Sequence, residues 1–336
     1  MKNKNLIPLI GLTMLATPNP QLSTAHAQGS LTPPGAPAPT MKTLDQVYAR
    51  LETRTAITNA TTGYAISVPG SYYLTTNLTV SSGNGITIPT DGVTLDLNGF
   101  TISSTAASAA NNGVFLNSGL RNISILNGFI QGGVTNNGSG VYSGSGFENG
   151  IYWSGATAPV NTRACGVAVT GVLNWGIMLD MINASVVEGC TVTTAGGVGI
   201  YASVIKGSVA TGCGSHALHG YQMADCRGVS GAGYGVLSDS TALNCNGQSS
   251  SSYGLEAKTA QNCYGYSSGT NSPGLYAYTA QNCYGYNNSG GTGLSATVAT
   301  GCNGYSASGI GLSATIANSC WISHGTTNIT YKYNMP

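Results

Sequence analysis

The chain has 336 residues, of which only 6% are charged, against about 25% in an average globular domain. Its net charge of +1 supplies no basic field for nucleic acid. A hydrophobic content of 41% is not that of a disordered chain, so Ser, Thr, Asn and the 49 Gly must meet the water around a folded core.

At the N-terminus Lys2 and Lys4 precede an apolar run from Leu6 to Ala16, and Ala25-His26-Ala27 offers a small-residue cleavage site. Residues 1–27 therefore read as a secretory signal, which places the mature chain outside the cell, at its surface or in a periplasm. Pro8, Pro18 and the shortness of the run argue against a membrane span, and no later stretch is long and apolar enough for one. Residues 28–40, rich in Pro, Gly, Ala and Ser, read as a linker. Between Met41 and Thr53, Leu44, Val47, Tyr48 and Leu51 fall at helical spacing behind Thr40 as N-cap, so residues 41–63 are expected to form a cap segment with one short helix.

Strand patterns follow in order: Ser71 to Leu74, Gly85 to Ile88, and Val93 to Ile102. The run PGSYYLTTNLTVSSGNGITIPTDGVTLDLNGFTI, with RNISILNGFIQGG at Arg121 to Gly133, resembles the opening coils of secreted right-handed parallel β-helix proteins of the pectin-lyase-like group. The upstream LTPPGAPAPTMKTLDQV is similar to the leader of uncharacterised members of that group. The resemblance implies a right-handed coil over roughly residues 44–336. It implies no single activity, because that group contains lyases, hydrolases and adhesins.

The second half is a repeat in its own right. Cys226, Cys245, Cys263, Cys283, Cys302 and Cys320 are separated by 19, 18, 20, 19 and 18 residues, each preceded by a segment such as GLEAKTAQNC or GLSATVATGC. A period near 20 leaves room for short strands and turns and for no helix, which predicts an all-β parallel β-helix over residues 64–336. The Leu-x-x-Leu-x-Leu spacing of leucine-rich repeats is missing; Leu294, Ala296, Val298 and Leu312, Ala314, Ile316 alternate at period two and are expected to point inward. Leu255, Leu275, Leu294 and Leu312 should then form one buried column.

Counting from the Gly that opens each strand, successive coils about 4.8 Å apart stack Met178, Tyr201, Leu218, Leu237, Glu256, Tyr276, Ser295 and Ser313 at the second place. The fourth place carries Asp180, Ser203, Gly220, Asp239, Lys258, Tyr278, Thr297 and Thr315. Tyr201, Asp239, Glu256, Lys258, Tyr276 and Tyr278 thereby converge on one outward patch. It reads in two ways: a saccharide site, with Tyr rings against sugar C–H groups and charged groups on hydroxyls, or a solvated sheet face with a Glu–Lys neighbour pair. Two further columns flank the cysteines. Asn244, Asn262 and Asn282 precede them and should hydrogen-bond along the stack, while Tyr264, Tyr284, Tyr266, Tyr286 and Tyr305 follow and should stack ring on ring. One Cys per coil fits a buried column of free thiols, although an exported chain would also permit disulfides.

The acidic residues after position 150 are Asp180, Glu188, Asp225, Asp239 and Glu256. A Ca²⁺-dependent lyase needs six to eight oxygen ligands and a base, for which Lys258 is the candidate; hydrolysis needs a close carboxylate pair, with Asp239, Glu256 and Asp180 as candidates. His216 and His219 read as turn or core residues. The functional expectation is a structural, adhesive or glycan-binding protein without catalysis or cofactor, its partner a polysaccharide or cell-surface glycan. The alternative is a polysaccharide lyase or glycoside hydrolase acting on an acidic polymer. Thr297 and Thr315 are too few for an ice-binding array.

Overall fold

The computed structural model describes residues 43, 46–47, 53–58 and 61–335. The expected signal, linker and most of the cap segment, Thr40 included, lie outside these. Thr43 is the N-cap of the short helix: its Oγ1 accepts the Gln46 N–H at 3.1 Å, its own N–H reaches Gln46 Oε1 at 3.1 Å, and helical Val47 donates to its carbonyl at 3.0 Å. This is a reciprocal Thr-x-x-Gln capping box.

Residues 53–58 and 61–335 form an all-β, right-handed parallel β-solenoid of about 15 turns with repeats near 19 residues. Three parallel ladders wrap one core. In the first, Tyr72, Leu95, Ile125, Ala164, Val187, Ile205, Met223, Ala242, Ala260, Ala280, Ala299 and Ala317 face inward in register. In the second the inward position runs Leu78, Ile102, Ile130, Val169, Val192, Ala210, then Gly228, Gly247, Gly265, Gly285 and Gly304. The third holds the expected leucines: Leu255 pairs with Leu275, Leu275 with Leu294 and Leu294 with Leu312, all fully buried. Burying one such side chain contributes about 1.5–3 kcal/mol.

Early coils are long and late ones short. Val93 pairs with Ile123 and Ile123 with Thr162, steps of 30 and 39 residues, whereas Thr259, Thr279 and Val298 follow at 20 and 19. One long coil carries the antiparallel hairpin Gly133–Asn136 with Tyr142–Ser145.

One expectation about facing is corrected. Val298 and Ile316 do not point inward; Ala299 and Ala317, fully buried, take that role, and Ile316 is 37% exposed. The strand turns a corner between Ala296 and Val298, where its neighbours pair on either side but not across residue 297. A corner advances the alternation by one residue, which a straight-strand count cannot see. Gly228, Gly247, Gly265, Gly285 and Gly304, two places after the cysteines from Cys226 to Cys302, are strand residues and not turn residues. Gly247 and Gly265 sit within strands, where an added Cβ would lie 2.1 and 2.2 Å from the carbonyl oxygens of Gly254 and Gly274 on the opposite wall.

The left-handed corner before the cysteines is occupied by Asn244, Asn262 and Asn282 at φ 52–53°, a conformation Asn tolerates. Their carboxamides form the expected ladder: Asn282 Nδ2 donates to Asn262 Oδ1 at 3.4 Å and Asn262 Nδ2 to Asn244 Oδ1 at 3.2 Å. Asn244 Nδ2 donates at 2.9 Å to Asp225 Oδ1, a carboxylate that ends the chain as a pure acceptor. Next to this corner Cys226, Cys245, Cys263, Cys283, Cys302 and Cys320 occupy equivalent places, and from Asn246 onward the residue after each donates its N–H to the Cys carbonyl one coil earlier, as Tyr284 does to Cys263 at 2.9 Å. All nine cysteines are free. Beyond them Tyr266, Tyr286 and Tyr305 stack at 5.4 and 4.4 Å with interplanar angles of 14° and 6°.

Candidate functional site

The outward patch forms on the third ladder and the corner beside it. Met178, Tyr201, His219, Leu237, Glu256, Tyr276, Ser295 and Ser313 pair in that order. The sequence placed Leu218 where His219 stands. Leu218 is fully buried and pairs with Ile200 and Val236 in the core column, and Gly220 likewise belongs to an inward position beside Ala202 and Ser238. The slip arose because this coil opens on Ala217 instead of Gly. Counting nine residues back from Cys226, as Gly254 precedes Cys263 and Gly274 precedes Cys283, finds Ala217 and the right register.

Correcting the slip brings His219 and Tyr221 into the patch. Tyr221 is 49% exposed. His219 Nε2 lies 3.7 Å from Asp239 Oδ1, and its ring meets Tyr201 edge-on at 5.1 Å. Asp239 itself sits in a bulge, where Ser238 and Thr241 pair with Ala257 and Thr259 and leave one extra residue. Bulges re-aim side chains, and here the carboxylate turns toward the preceding coil's histidine.

Glu256, Asp239, Lys258, Tyr276 and Tyr278 line one depression of about 350 Å³ together with Tyr221 and Leu237. A second, of about 550 Å³, lies between Ile182, Tyr201, Ser203, Tyr221 and Asp239. The two share Tyr221 and Asp239, so they form one groove. Lys258 is exposed and Tyr278 is 54% exposed. Asp180 does not present its carboxylate to this groove: it is 7% exposed, and Oδ2 accepts the N–H groups of Ile182 and Asn183 at 3.0 Å each, closing its own turn.

Beside the groove, and meeting it at Tyr201 and Tyr276, runs a chain of rings that the sequence reading did not assemble. Trp175 meets Tyr201 at 5.8 Å, His216 meets His219 at 5.5 Å and Tyr234 at 4.9 Å, Tyr234 meets Tyr253 at 5.2 Å, and Tyr253 meets Tyr276 at 6.0 Å. The signal was present: Trp175, His216, Tyr234 and Tyr253 each stand one place before a strand-opening Gly or Ala.

Electrostatics divides these groups. Burial, then the charge of His219, pulls His216 below the ordinary imidazole value of 6.5, and its Nδ1 accepts the Tyr234 N–H at 3.1 Å, which requires the neutral ring. Burial also lowers His219, against the opposing pull of Asp239. Burial raises Glu256 above its ordinary 4.5, with the Asp239 charge adding to it and the Tyr234 hydroxyl opposing. Among the described residues no three His, Cys, Asp or Glu side chains gather as a metal site, and no helix is long and apolar enough to cross a membrane.

No protein-family model and no curated protein matches the chain. Two solved structures are similar to parts of the chain. One is the enzymatically active domain of tailspike protein 2 of bacteriophage CBA120, at 13% identity and a TM-score of 0.32, covering 80% of this chain. This chain spans 42% of that one, less than half its length. The other is the catalytic domain of a GH87 alpha-1,3-glucanase in complex with tetrasaccharides, at 12% identity and a TM-score of 0.39, covering 90% of this chain and 70% of that one. Neither likeness says which residues of this chain bind or react.

Proposed function

We propose that this chain is an exported β-solenoid of the pectin-lyase-like type that binds polysaccharide through the groove between Tyr201 and Tyr278. The observation that carries this is the meeting, in one open groove, of ring faces with hydrogen-bonding groups of both signs: Tyr201, Tyr276 and Tyr278 beside Asp239, Glu256 and Lys258. Apolar ring surface takes up sugar C–H faces, and a few convergent polar groups fix orientation through hydroxyls. Replacing Tyr276 and Tyr278 together by Ser tests it. Outward residues cost little stability when truncated, so the variant should fold and lose about 10-fold or more in saccharide affinity. Unchanged affinity would move the site elsewhere. Export rests on the leader at residues 1–27, and N-terminal sequencing of secreted protein checks the cleavage after Ala27.

One observation favours a second reading, glycoside hydrolysis. Asp239 and Glu256 line the same groove, and burial, with the Asp239 charge adding to it, raises Glu256 above its ordinary 4.5; hydrolysis needs two carboxyl groups on either side of the scissile bond. New reducing ends that disappear in Glu256→Gln would establish it. Elimination from a polyuronate would instead rely on Lys258 as base, and cleavage that survives Lys258→Ala removes that role.

A further inference from the structure

Resting on the polysaccharide reading, we propose that the groove's ligand is a neutral, unbranched polysaccharide lying along the solenoid axis, with one sugar unit per coil from Trp175 to Tyr278. Three features of the molecule lead there.

The first is the ring track. Trp175, Tyr201, the His216–His219 pair, Tyr234, Tyr253 and Tyr276 belong to six successive coils, and neighbouring rings along the track lie 4.9 to 6.0 Å apart. Each step advances one coil, about 4.8 Å, which is close to the length of one pyranose unit. A linear chain laid along the axis therefore stays in phase with the rings, whereas a chain laid across would meet one ring and then a corner.

Ring orientation is the second feature. Apart from His216 against Tyr234 at 21°, the contacts are edge-on or tilted, from 50° to 82°, so in an edge-on pair one ring gives up a face and the other only its edge. The tyrosines behind the cysteines differ. Tyr266, Tyr286 and Tyr305 lie within 14° of parallel and use their faces on one another. Both are aromatic columns, but the stacked one spends both partners' faces at every contact, whereas the track beside the groove closes face on face only between His216 and Tyr234.

Charge is the third. The two depressions are lined by the carboxylates of Asp239 and Glu256 against the single ammonium of Lys258, and both histidines beside them are biased toward the neutral form by burial. A polyuronate or sulfated polymer would bring repeated negative charge against two carboxylates, each such contact unfavourable in a partly desolvated groove. Neutral hydroxyls suit the same groups: carboxylates accept from them and the ammonium donates. The track also ends. After Tyr278 the outward positions become Ser295, Thr297, Ser313 and Thr315.

Titration calorimetry on the full chain, with cello-, chito- and laminari-oligosaccharides of two to eight units and with oligogalacturonates of matched length, tests the proposal. Affinity for one neutral series should rise with each unit to about six and then level, while the oligogalacturonates bind at least about 10-fold more weakly. Tyr253→Leu, which keeps an apolar side chain but removes the ring, should lower affinity for a hexamer about 5-fold or more and leave a dimer unaffected. Binding that saturates at two or three units and vanishes in the Tyr276→Ser, Tyr278→Ser variant would keep the glycan reading and overturn the axial chain. Tighter binding of oligogalacturonates, lost in Lys258→Gln, would overturn the neutral assignment. Binding by none of the neutral series overturns the proposal outright.

Discussion

Follow one inward position of the second ladder and the side chain shrinks from Leu78, Ile102 and Ile130, through Val169, Val192 and Ala210, to five glycines from Gly228 to Gly304. The solenoid tapers. Near the N-terminal end an added Cβ at Gly85 would first meet the side chain of Ile102, so a layer of hydrocarbon separates the walls. In the late coils a Cβ at Gly254 would meet the backbone N–H and carbonyl of Tyr266 at 2.3 Å, so the walls touch directly. Early coils are held by large apolar side chains, and late coils by backbone contact, Leu, Ala, Cys and side-chain ladders. The ring track belongs to the region where coils become short and regular.

Exchanging residues between the two regimes is the strongest way to break this contrast. Gly265→Val puts a Cβ about 2.2 Å from the Gly274 carbonyl oxygen, a contact that backbone cannot yield to. We expect a loss of at least about 3 kcal/mol, seen as collapse of hydrogen-exchange protection across residues 245–290 while the early coils keep theirs. The converse change, Val169→Gly, leaves a void where the early wall needs bulk and should cost about 2–4 kcal/mol. A neutral Gly265→Val would show that the late walls are not in contact. Next in size, Leu95→Ala should cost about 2–5 kcal/mol, whereas Cys263→Ala, which removes only a sulfur atom from a small-residue core, should cost about 1 kcal/mol or less. Equal losses in urea unfolding would erase the distinction.

How much of this could be read from the sequence differs between the same regions. The regular half gave its period through the cysteines, its core column through Leu255, Leu275, Leu294 and Leu312, and its Asn ladder through the residue before each Cys, because identical coils repeat identical letters. What it hid was geometry that the letters do not encode. The corner after Ala296 shifted the alternation, and the bulge at Asp239 and the Ala217 opening displaced the register by one. The taper was written in the Asn-Gly-Gln, Tyr-Gly-Tyr and Asn-Gly-Tyr triplets after the cysteines, but a Gly needed for close approach looks the same as a Gly needed for a turn. The ring track was missed for a related reason: its members come from two neighbouring columns, and a column-by-column alignment keeps Tyr234 and Tyr253 apart from Tyr201 and Tyr276.

Smaller again is the chemistry of the thiols. Burial raises Cys190 to about 11 and Cys213 to about 12, so both should be slow to react with a thiol reagent in the folded protein. Most of the nine thiols should titrate once the chain is unfolded without reductant. Recovery of one or none would show that the late coils are cross-linked, and that their stability has a covalent part the early coils lack.

The finest test uses pH, since His216 and His219 sit at the centre of the ring track while the early coils between residues 61 and 150 contain no histidine. Both imidazoles have folded values below 6.5. The unfolded chain therefore takes up protons first on acidification, and stability falls as pH drops through 6.5 toward the folded midpoints; above 6.5 both states are neutral there and nothing changes. The shift has a local cause. Protonating His216 breaks its acceptance of the Tyr234 N–H and sets a charge beside His219, which Asp239 at 3.7 Å from the latter only partly offsets. Histidine NMR titration should give both midpoints below 6.5, and hydrogen exchange at residues 216–235 should quicken from pH 7 to pH 5 while residues 86–130 stay unchanged. Midpoints above 6.5 would mean that Asp239 outweighs burial, and the centre of the groove would then carry positive charge near neutral pH.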